Sequence, residues 1–336
     1  MRTFLFLLSA VASLAAAAEI PSYRPQPVEP PKGASYVQPD GSVYIVGNDG
    51  MEEILKEFNA LFAKTHPGVR FKMLLKGSST GIAGLTAGVS AFAPMGREAW
   101  GTDASGFREV YGFQPFDIHI GYDGYVRPKH KNPPAVYVNA KNPLAGLTLE
   151  QLARVFTMGN PAGDVTRWEQ LGAKGEWAKR AIHLYGQYDD GGAATSVRKA
   201  RLGNRAFAHE YEELEKPCDV VKAVAEDPYG IGLASFCDAA AVSPNVRILP
   251  LAMKAGQPFA GPSYEDVGAG RYPLAVHMRI YAVRKPGQPL DPLVKEYARL
   301  ALSKEGQAII AAHKDGDEAF IPLNAAEVEA ELAKLD

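Results

Sequence analysis

The chain has little of several features that would narrow its function at once. Its 336 residues include two cysteines, three tryptophans and seven histidines, and its 36 basic and 38 acidic side chains nearly cancel. This balance gives no indication of a nucleic-acid or anionic-membrane partner, so any anion site must be local. No cysteine and histidine cluster has the spacing of a metal site, and we predict neither a metal nor another cofactor.

Catalytic patterns are also scarce. The histidines are scattered, and none lies beside a serine, cysteine or carboxylate pattern that indicates a triad. The adjacent carboxylates Asp189 and Asp190 lie in a glycine-rich segment, where such residues are more often solvated turn residues than metal ligands. We therefore predict no catalytic residues and a function other than catalysis.

A strongly apolar run occurs only at the start of the chain. Met1 and Arg2 supply positive charge, residues 4–14 are apolar, and the alanines at 16–18 form a small-residue cleavage site. The run is too short to span a bilayer, which disfavours a membrane helix. We predict a signal peptide over residues 1–18 and export to the periplasm. Since no lipobox cysteine lies near the cleavage site, we expect no lipid anchor.

Proline is plentiful and is concentrated just after the predicted cleavage site. Residues 19–40 contain six of the 25 prolines. A segment of this composition buries too little apolar surface to order itself. We predict that it is an extended leader before the fold.

The two cysteines can form a disulfide in an exported protein. Cys218 precedes a predicted helix over residues 219–226, and the strand predicted over 231–236 returns Cys237 towards the start of that helix. A bridge is therefore geometrically plausible. Two separate buried thiols are the alternative.

The order of apolar patterns predicts an α/β protein. Residues 43–46 are typical of a strand, 51–64 of a helix and 69–75 of a second strand, and another helix begins near residue 82. Strands that alternate with helices indicate parallel pairing. The alternation continues with strands at 135–138, 182–185, 246–251 and 278–283, and with helices at 147–156, 196–202, 292–302, 303–312 and from 325.

Two loops each follow a predicted strand and open a helix. Residues 77–81 read Gly-Ser-Ser-Thr-Gly, whereas residues 190–195 have small side chains but few donors. Glycines let a ligand approach the backbone, and the amides at a helix N-terminus favour an anion. Simple turns and helix caps are the alternative for both loops.

A series of motifs occurs along the chain in a characteristic order. They lie at residues 46–51, 66–69, 76–82, 142–152, 155–157, 167–172, 230–232, 272–274 and 302–307. In this order they resemble the phosphate-binding proteins of bacterial ABC phosphate importers, over about residues 42–323. The resemblance implies a type II periplasmic-binding (Venus-flytrap) fold, in which each lobe is a mixed sheet flanked by helices. Lobe 1 would comprise residues 41–122 with 273–336, and lobe 2 residues 123–272.

The resemblance also implies a ligand, a partner and a set of contacts. A small phosphate-like anion would bind in the cleft between the lobes, and closure would present a surface to the membrane permease of an ABC importer. We expect a monomer without a nucleic-acid partner. The implied ligand-binding residues are Asn48, Asp49, Gly50, Ser78, Ser79, Thr80, Arg97, Gln187, Gly191, Gly192, Ala193 and Thr195.

Several of these positions depart from the family pattern. The first loop has Asn48 and Gly50 in place of a serine and a threonine, and Gln187 replaces an arginine. Ala91 occupies the acidic position, and Gly96 stands where a serine is usual. Each donor lost to a charged ligand costs on the order of 1.5–3 kcal/mol. The sequence therefore predicts a depleted site that lacks the usual carboxylate.

Because the site is depleted in donors, the sequence leaves two alternatives to phosphate capture open. In the first, the same fold binds a less charged or larger organic solute, and large side chains near the motifs line its cleft. These are Phe92, Met95, Trp100, Tyr122 and Tyr188. In the second, the fold has lost its solute and serves as a sensor or adaptor protein of the cell envelope.

Overall fold

The computed structural model describes residues 19–127, 132–190, 192–316 and 318–336, so the predicted signal peptide lies outside the described residues. The strands are β1 (Val43–Gly47), β2 (Phe71–Leu75), β3 (Ala93–Met95), β4 (Phe116–Tyr122), β5 (Ala135–Asn139), β6 (Leu147–Thr148), β7 (His183–Gln187), β8 (Tyr211–Leu214), β9 (Gly230–Ala234), β10 (Val246–Ile248), β11 (Leu251–Ala252) and β12 (His277–Ala282).

The helices follow the strands in the predicted alternation. They are α1 (Glu52–Thr65), α2 (Ser78–Thr86), α3 (Gly101–Tyr111), α4 (Leu149–Phe156), α5 (Ala193–Arg201), α6 (Pro217–Glu226), α7 (Ala239–Val242), α8 (Tyr264–Gly268), α9 (Pro292–Ala301), α10 (Lys304–Ala312) and α11 (Ala325–Lys334). Within the described ranges, none of these helices combines the length and apolar character needed to cross a bilayer.

The strands form two groups that differ in their place along the chain. In the first group, β1 pairs with β2 in parallel, and β12 lies between β3 and β4 with antiparallel pairing. The second group is a five-stranded sheet of order β10-β5-β9-β7-β8. In it β7 is parallel to both its neighbours, whereas β5 is antiparallel to both of its own. The predicted mixed α/β fold is confirmed, although the alternation alone suggested parallel pairing.

The chain crosses between the two groups twice. It leaves the first group after β4 and returns to it with β12, while β5 and β7 to β10 belong to the second group and β6 pairs with β11 in a separate two-stranded sheet. This membership is compatible with lobes at 41–122 plus 273–336 and at 123–272. The lobe boundaries themselves stay a prediction.

An aromatic cluster fixes the core of the first group. The buried face of α1 includes Phe58 and Phe62, as its 3.6-residue period predicts. Both rings pack on Tyr297 of α9, which also lies 4.5 Å from the ring of Phe92. Asp291 caps α9, since its carboxylate accepts hydrogen bonds from the first free amides. The helices are thereby held against the strands that lead to the site.

The proline-rich segment is extended, as predicted, but it is not a separate leader. Residues 19–40 lie along α9 and α10, where the Tyr23 hydroxyl donates to Glu296 at 2.7 Å and the Lys304 amide donates to the Pro21 carbonyl at 2.8 Å. The composition argument failed because long-range hydrogen bonds, together with the packing of Ile20, Tyr23, Val28 and Tyr36 on the core, order this segment.

The predicted disulfide is confirmed. Cys218 and Cys237 are bonded, with their Cα atoms 5.4 Å apart. Helix α6 begins one residue before Cys218, and β9 returns the chain beside it, as the sequence indicated. The alternative of two separate thiols is wrong.

Candidate ligand-binding site

Two adjoining cavities lie where the two groups of strands meet, and they share Gly96, Arg97 and Asn132 as walls. The polar chamber has a volume of about 280 Å³ and is lined chiefly by Asn48, Asp49, Gly50, Ser78, Asp123 and Glu318. The apolar chamber has a volume of about 250 Å³ and is lined chiefly by Trp100, Pro134, Val197, Ala200, Leu274 and Val276.

Each chamber has a wall built on a helix. We define the α2 wall as Asn48, Ser78, Gly96 and Asp123, and the α5 wall as Ala193, Ser196, Val197 and Ala200. The loops before α2 and α5, which the sequence analysis singled out, therefore open onto one continuous cleft.

A chain of hydrogen bonds fixes the α2 wall. Asn48 caps a 3-10 turn, because its Oδ1 accepts the Gly50 amide at 2.6 Å. Its Nδ2 donates to Ser78 Oγ at 2.7 Å, and the same oxygen accepts the Gly96 amide at 3.1 Å. Within the described residues, the Ser78 hydroxyl donates no hydrogen bond, so its hydrogen is available to the chamber.

This chain of bonds explains one departure from the family pattern. A Cβ atom at Gly96 would lie only 2.8 Å from Asn48 Nδ2 and 3.0 Å from Asp123 Oδ2. Asn48 therefore fills the space that a serine side chain at position 96 would need. With an asparagine at position 48, the space at position 96 therefore suits a glycine and not a serine.

The first turn of α2 also presents its backbone to the polar chamber. The turn begins after Gly77, whose φ of 102° suits glycine, and no side chain caps it in the described structure. The Thr80 hydroxyl donates to the Gly77 carbonyl at 2.8 Å and is used internally. Ser79 and Asp49 are both exposed. Of these predicted contacts, the α2 backbone and Ser78 are the best placed donors.

A buried carboxyl group lies in the polar chamber where the sequence predicted none. Asp123 is 7% exposed, and its Oδ2 accepts a hydrogen bond from Asn132 Nδ2 at 3.0 Å. The pKa of Asp123 is raised to about 8, chiefly by burial and also by the charge of Glu318, while the hydrogen bond from Asn132 opposes the shift. Asp123 is therefore neutral at pH 7.

The sequence analysis missed Asp123 because it assigned the acidic position to Ala91. That residue is buried, and its amide donates to the Tyr44 carbonyl away from the chambers. The expectation of a site without a carboxyl group is therefore wrong. The available signal was the place of Asp123, directly at the predicted crossing between lobes.

Arg97 lies between the two chambers, and its position agrees with its predicted place in the site. Its Nη1 donates to Asp103 at 2.7 Å and to the Glu98 carbonyl at 2.8 Å, and its guanidinium stacks on Trp100 at 3.9 Å. Its Nη2 is buried without a partner in the described part of the chain. The guanidinium of Arg97 is therefore a fixed cation that lines both chambers, with Nη2 on its buried side.

The predicted contacts near the start of α5 are engaged within the protein. The Thr195 hydroxyl donates to Asp189 Oδ1 at 2.7 Å, and the Gly192 amide donates to Asp190 Oδ1 at 3.2 Å. Gly191 lies outside the described residues. Two carboxylates therefore take the donors that an anion would need here.

Of the remaining predicted contacts from this side, only Gln187 has a side-chain donor, its Nε2, which donates no hydrogen bond within the described residues. Gln187 Oε1 accepts the Ser235 amide at 2.8 Å, which orients the side chain as part of the sheet end. Ala193 lines the apolar chamber and offers no side-chain donor.

A charge network joins the two sides of the cleft. Arg201, at the end of α5, donates to Glu98 at 2.6 Å and to the Pro273 carbonyl at 3.1 Å. Glu98 also accepts from Arg279 of β12 at 3.0 Å. The apolar chamber is thus bounded by charges that neutralise each other.

Most of the large side chains proposed for an organic cleft lie elsewhere. Phe92, Met95 and Tyr122 are buried in the core, and Tyr188 is 43% exposed. Trp100 is the member of this set that lines a chamber. The alternative of core packing therefore holds for three of these five residues.

The sequence analysis found no Gly-x-Ser-x-Gly nucleophile elbow between a strand and a helix, which is wrong, since residues 77–81 have this spacing between β2 and α2. Ser79, its central serine, is exposed, and no histidine within the described ranges hydrogen-bonds to it. In the same ranges, no group of three histidine, cysteine or acidic side chains is placed to hold a metal ion. The arrangement suits binding of a small anion.

Comparison with known proteins agrees with this geometry. Residues 34–305 match a family model described as a PBP superfamily domain. A phosphate-binding protein PstS of Pseudomonas aeruginosa PAO1 is 28% identical over 298 residues, which cover 88% of this chain and 87% of the relative.

Two solved structures have a similar fold. They are PstS from Borrelia burgdorferi, with a TM-score of 0.55 and 18% identity, and an ABC-type phosphate transport receptor from Vibrio cholerae, with a TM-score of 0.52 and 19% identity. Each match covers 84% of this chain and 99% of the other.

Proposed function

The chain belongs to the PBP superfamily, and from that premise we propose that it captures phosphate or a related oxyanion for an ABC importer. The relative named phosphate-binding protein matches over most of both chains, which supports this assignment. On this proposal the protein is periplasmic and monomeric, binds no nucleic acid, and acts through binding and release rather than catalysis.

The observation that carries the proposal is the convergence of donors on the polar chamber. The Ser78 hydroxyl and the guanidinium of Arg97 both line this chamber, and the uncapped N-terminus of α2 begins there at Ser78. Charge-assisted bonds of this kind are the strong ones, and a helix N-terminus adds favourable potential. The neutral carboxyl group of Asp123 adds a donor instead of a repelling charge.

We infer that capture couples to closure of two lobes, with the crossing segments near residues 121–123 and 272–274. The Arg201–Glu98 pair supports this inference, since it links α5 to the loop that carries Arg97. Opening the cleft would separate this pair, and closing would restore it. The closed form would then present the docking surface for a membrane permease.

Titration calorimetry on the mature protein tests the proposal. At pH 7 we expect heat and a thermal shift with phosphate, and neither with choline, a cation of modest size. Sulfate and arsenate extend the test to related oxyanions. Absence of heat and of a thermal shift with all three anions at millimolar concentration would contradict it and favour the sensor or adaptor alternative.

A further inference from the structure

The polar and apolar chambers together offer more space than a bare tetrahedral anion fills. That space is divided into two parts of different polarity. The apolar chamber alone has a volume of about 250 Å³, which corresponds to roughly eight waters at about 30 Å³ each. The two chambers share Gly96, Arg97 and Asn132 as walls and therefore adjoin. A ligand that passes between these three residues would occupy both chambers.

The α5 wall offers this extension an apolar surface. Val197, Ala200 and Leu274 face the chamber together with the ring of Trp100. The hydroxyl of Thr195, which follows the loop before α5, donates to Asp189. The donors that line this chamber from the α5 side are the neutral hydroxyl of Ser196 and the guanidinium of Arg201, which is paired with Glu98.

The charged and titratable groups around the apolar chamber leave it close to neutral. Arg201 and Glu98 are paired at 2.6 Å. Burial lowers the pKa of His277 to about 2, and the nearby charges of His119 and Arg279 act in the same direction, so its ring is neutral. An uncharged substituent would be accommodated there without a desolvated counter-charge.

Arg97 is placed to receive a ligand that spans both chambers. The side chain of Arg97 lines both chambers, and Trp100 stacks on its guanidinium and forms a wall of the apolar chamber. One oxyanion could thus bind Arg97 while its substituent rests beside Trp100.

We propose that the cleft binds an oxyanion with a small apolar substituent, such as a phosphonate or a phosphate monoester. The oxyanion lies in the polar chamber against Ser78 and Arg97, and the substituent lies in the apolar chamber against Trp100 and Val197. This inference rests on the proposed oxyanion capture and names the class of solute.

Calorimetry with phenylphosphonate, phenyl phosphate and inorganic phosphate, at one pH and salt concentration, tests the inference. One added methylene in an apolar pocket changes selectivity roughly ten- to two-hundredfold. We therefore expect each phenyl compound to bind at least tenfold more tightly than inorganic phosphate.

Two variants localise the substituent. Ala200→Phe should partly fill the apolar chamber, weaken phenylphosphonate binding at least tenfold and leave phosphate affinity within threefold. The matched control is Val110→Phe, which places the same ring at a position that is 62% exposed on α3 and away from both chambers. It should change neither affinity.

The outcomes separate the two proposals. If inorganic phosphate binds as tightly as the phenyl compounds, or Ala200→Phe weakens all ligands equally, the substituent site is wrong and oxyanion capture stands. If none of the three ligands binds, oxyanion capture fails and the substituent site fails with it.

Discussion

The α2 and α5 walls start from the same local motif and end with opposite chemistry. Each helix follows a strand and a glycine-containing loop, and in the described structure neither N-terminus has a side-chain cap. At α2 the neighbouring acid, Asp123, is buried and neutral. The Ser78 hydroxyl there accepts two hydrogen bonds and donates none within the described residues. At α5 the neighbouring acids, Asp189 and Asp190, accept the local donors. The surroundings of a helix N-terminus, more than the motif itself, determine whether it can hold an anion.

The largest expected effect concerns the neutral acid of the α2 wall. Between pH 4 and pH 8 the unfolded chain releases the Asp123 proton while the native protein keeps it. The free energy of unfolding should therefore fall as pH rises through this range and level off above it. Asp123→Asn removes this loss, so at pH 8 the variant should be more stable by on the order of 5 kcal/mol. Urea denaturation at several pH values measures the difference.

Glu318→Gln is the matched control for this pH dependence. It removes the neighbouring charge but leaves Asp123 buried, and burial is the larger cause of its raised pKa. The fall in stability with pH should end at a lower pH and be smaller in total, without vanishing. A wild-type protein whose stability is flat from pH 4 to pH 8 would contradict a neutral Asp123.

A second prediction tests whether the disulfide stabilises the α5 side of the protein without contributing to ligand affinity. The Cys218–Cys237 disulfide joins α6 to the segment after β9, and β9 pairs with β7, the strand that leads to α5. Replacing both cysteines with alanine should lower the free energy of unfolding by about 3 kcal/mol, as expected for a closed loop of this size. Ligand affinity should change less than threefold. A large loss of affinity would show that the α5 wall holds the ligand more directly than we propose.

Variants of Arg97 and Lys199 compare how much a cation between the two chambers and a cation on α5 contribute to oxyanion affinity. Both lie over Trp100, at 3.9 and 4.5 Å from its ring. Arg97→Met removes a charge-assisted bond and should weaken oxyanion binding roughly a hundredfold, whereas Lys199→Met should change it less than threefold. Calorimetry at low and high salt measures both. Equal losses would mean that the cations act only through long-range attraction.

Local patterns predicted much of this fold because apolar spacing reports burial. The buried stripe of α1 and the strand β1 were both found within two residues of their ends. Helix α3 was missed, since Phe107 is its one buried residue in the described structure and two glycines interrupt it. Strand β3 is three residues long and contains Pro94, so it carries no alternation.

The candidate site was harder to predict because its chemistry depends on contacts that are distant in sequence. The raised pKa of Asp123 requires burial by the whole fold and the charge of Glu318, far along the chain. Arg97 was identified from its motif position, but the orientation of its guanidinium depends on contacts with Asp103 and Trp100 that the motif does not show. Sequence alone shows donors without showing which ones are already used.

The smallest expected effects test the difference between a donor that is available to a ligand and one that is already used within the protein. Ser78→Ala removes a hydroxyl whose hydrogen faces the polar chamber, and it should weaken oxyanion binding roughly tenfold, as for one neutral hydrogen bond. Thr195→Val removes a hydroxyl that donates to Asp189, and it should leave affinity within twofold while slightly lowering the thermal midpoint. Calorimetry and thermal melts on the two variants give both readouts. Were Thr195→Val the more harmful to binding, the α5 wall would be the anion-binding side, and the contrast between the walls would be reversed.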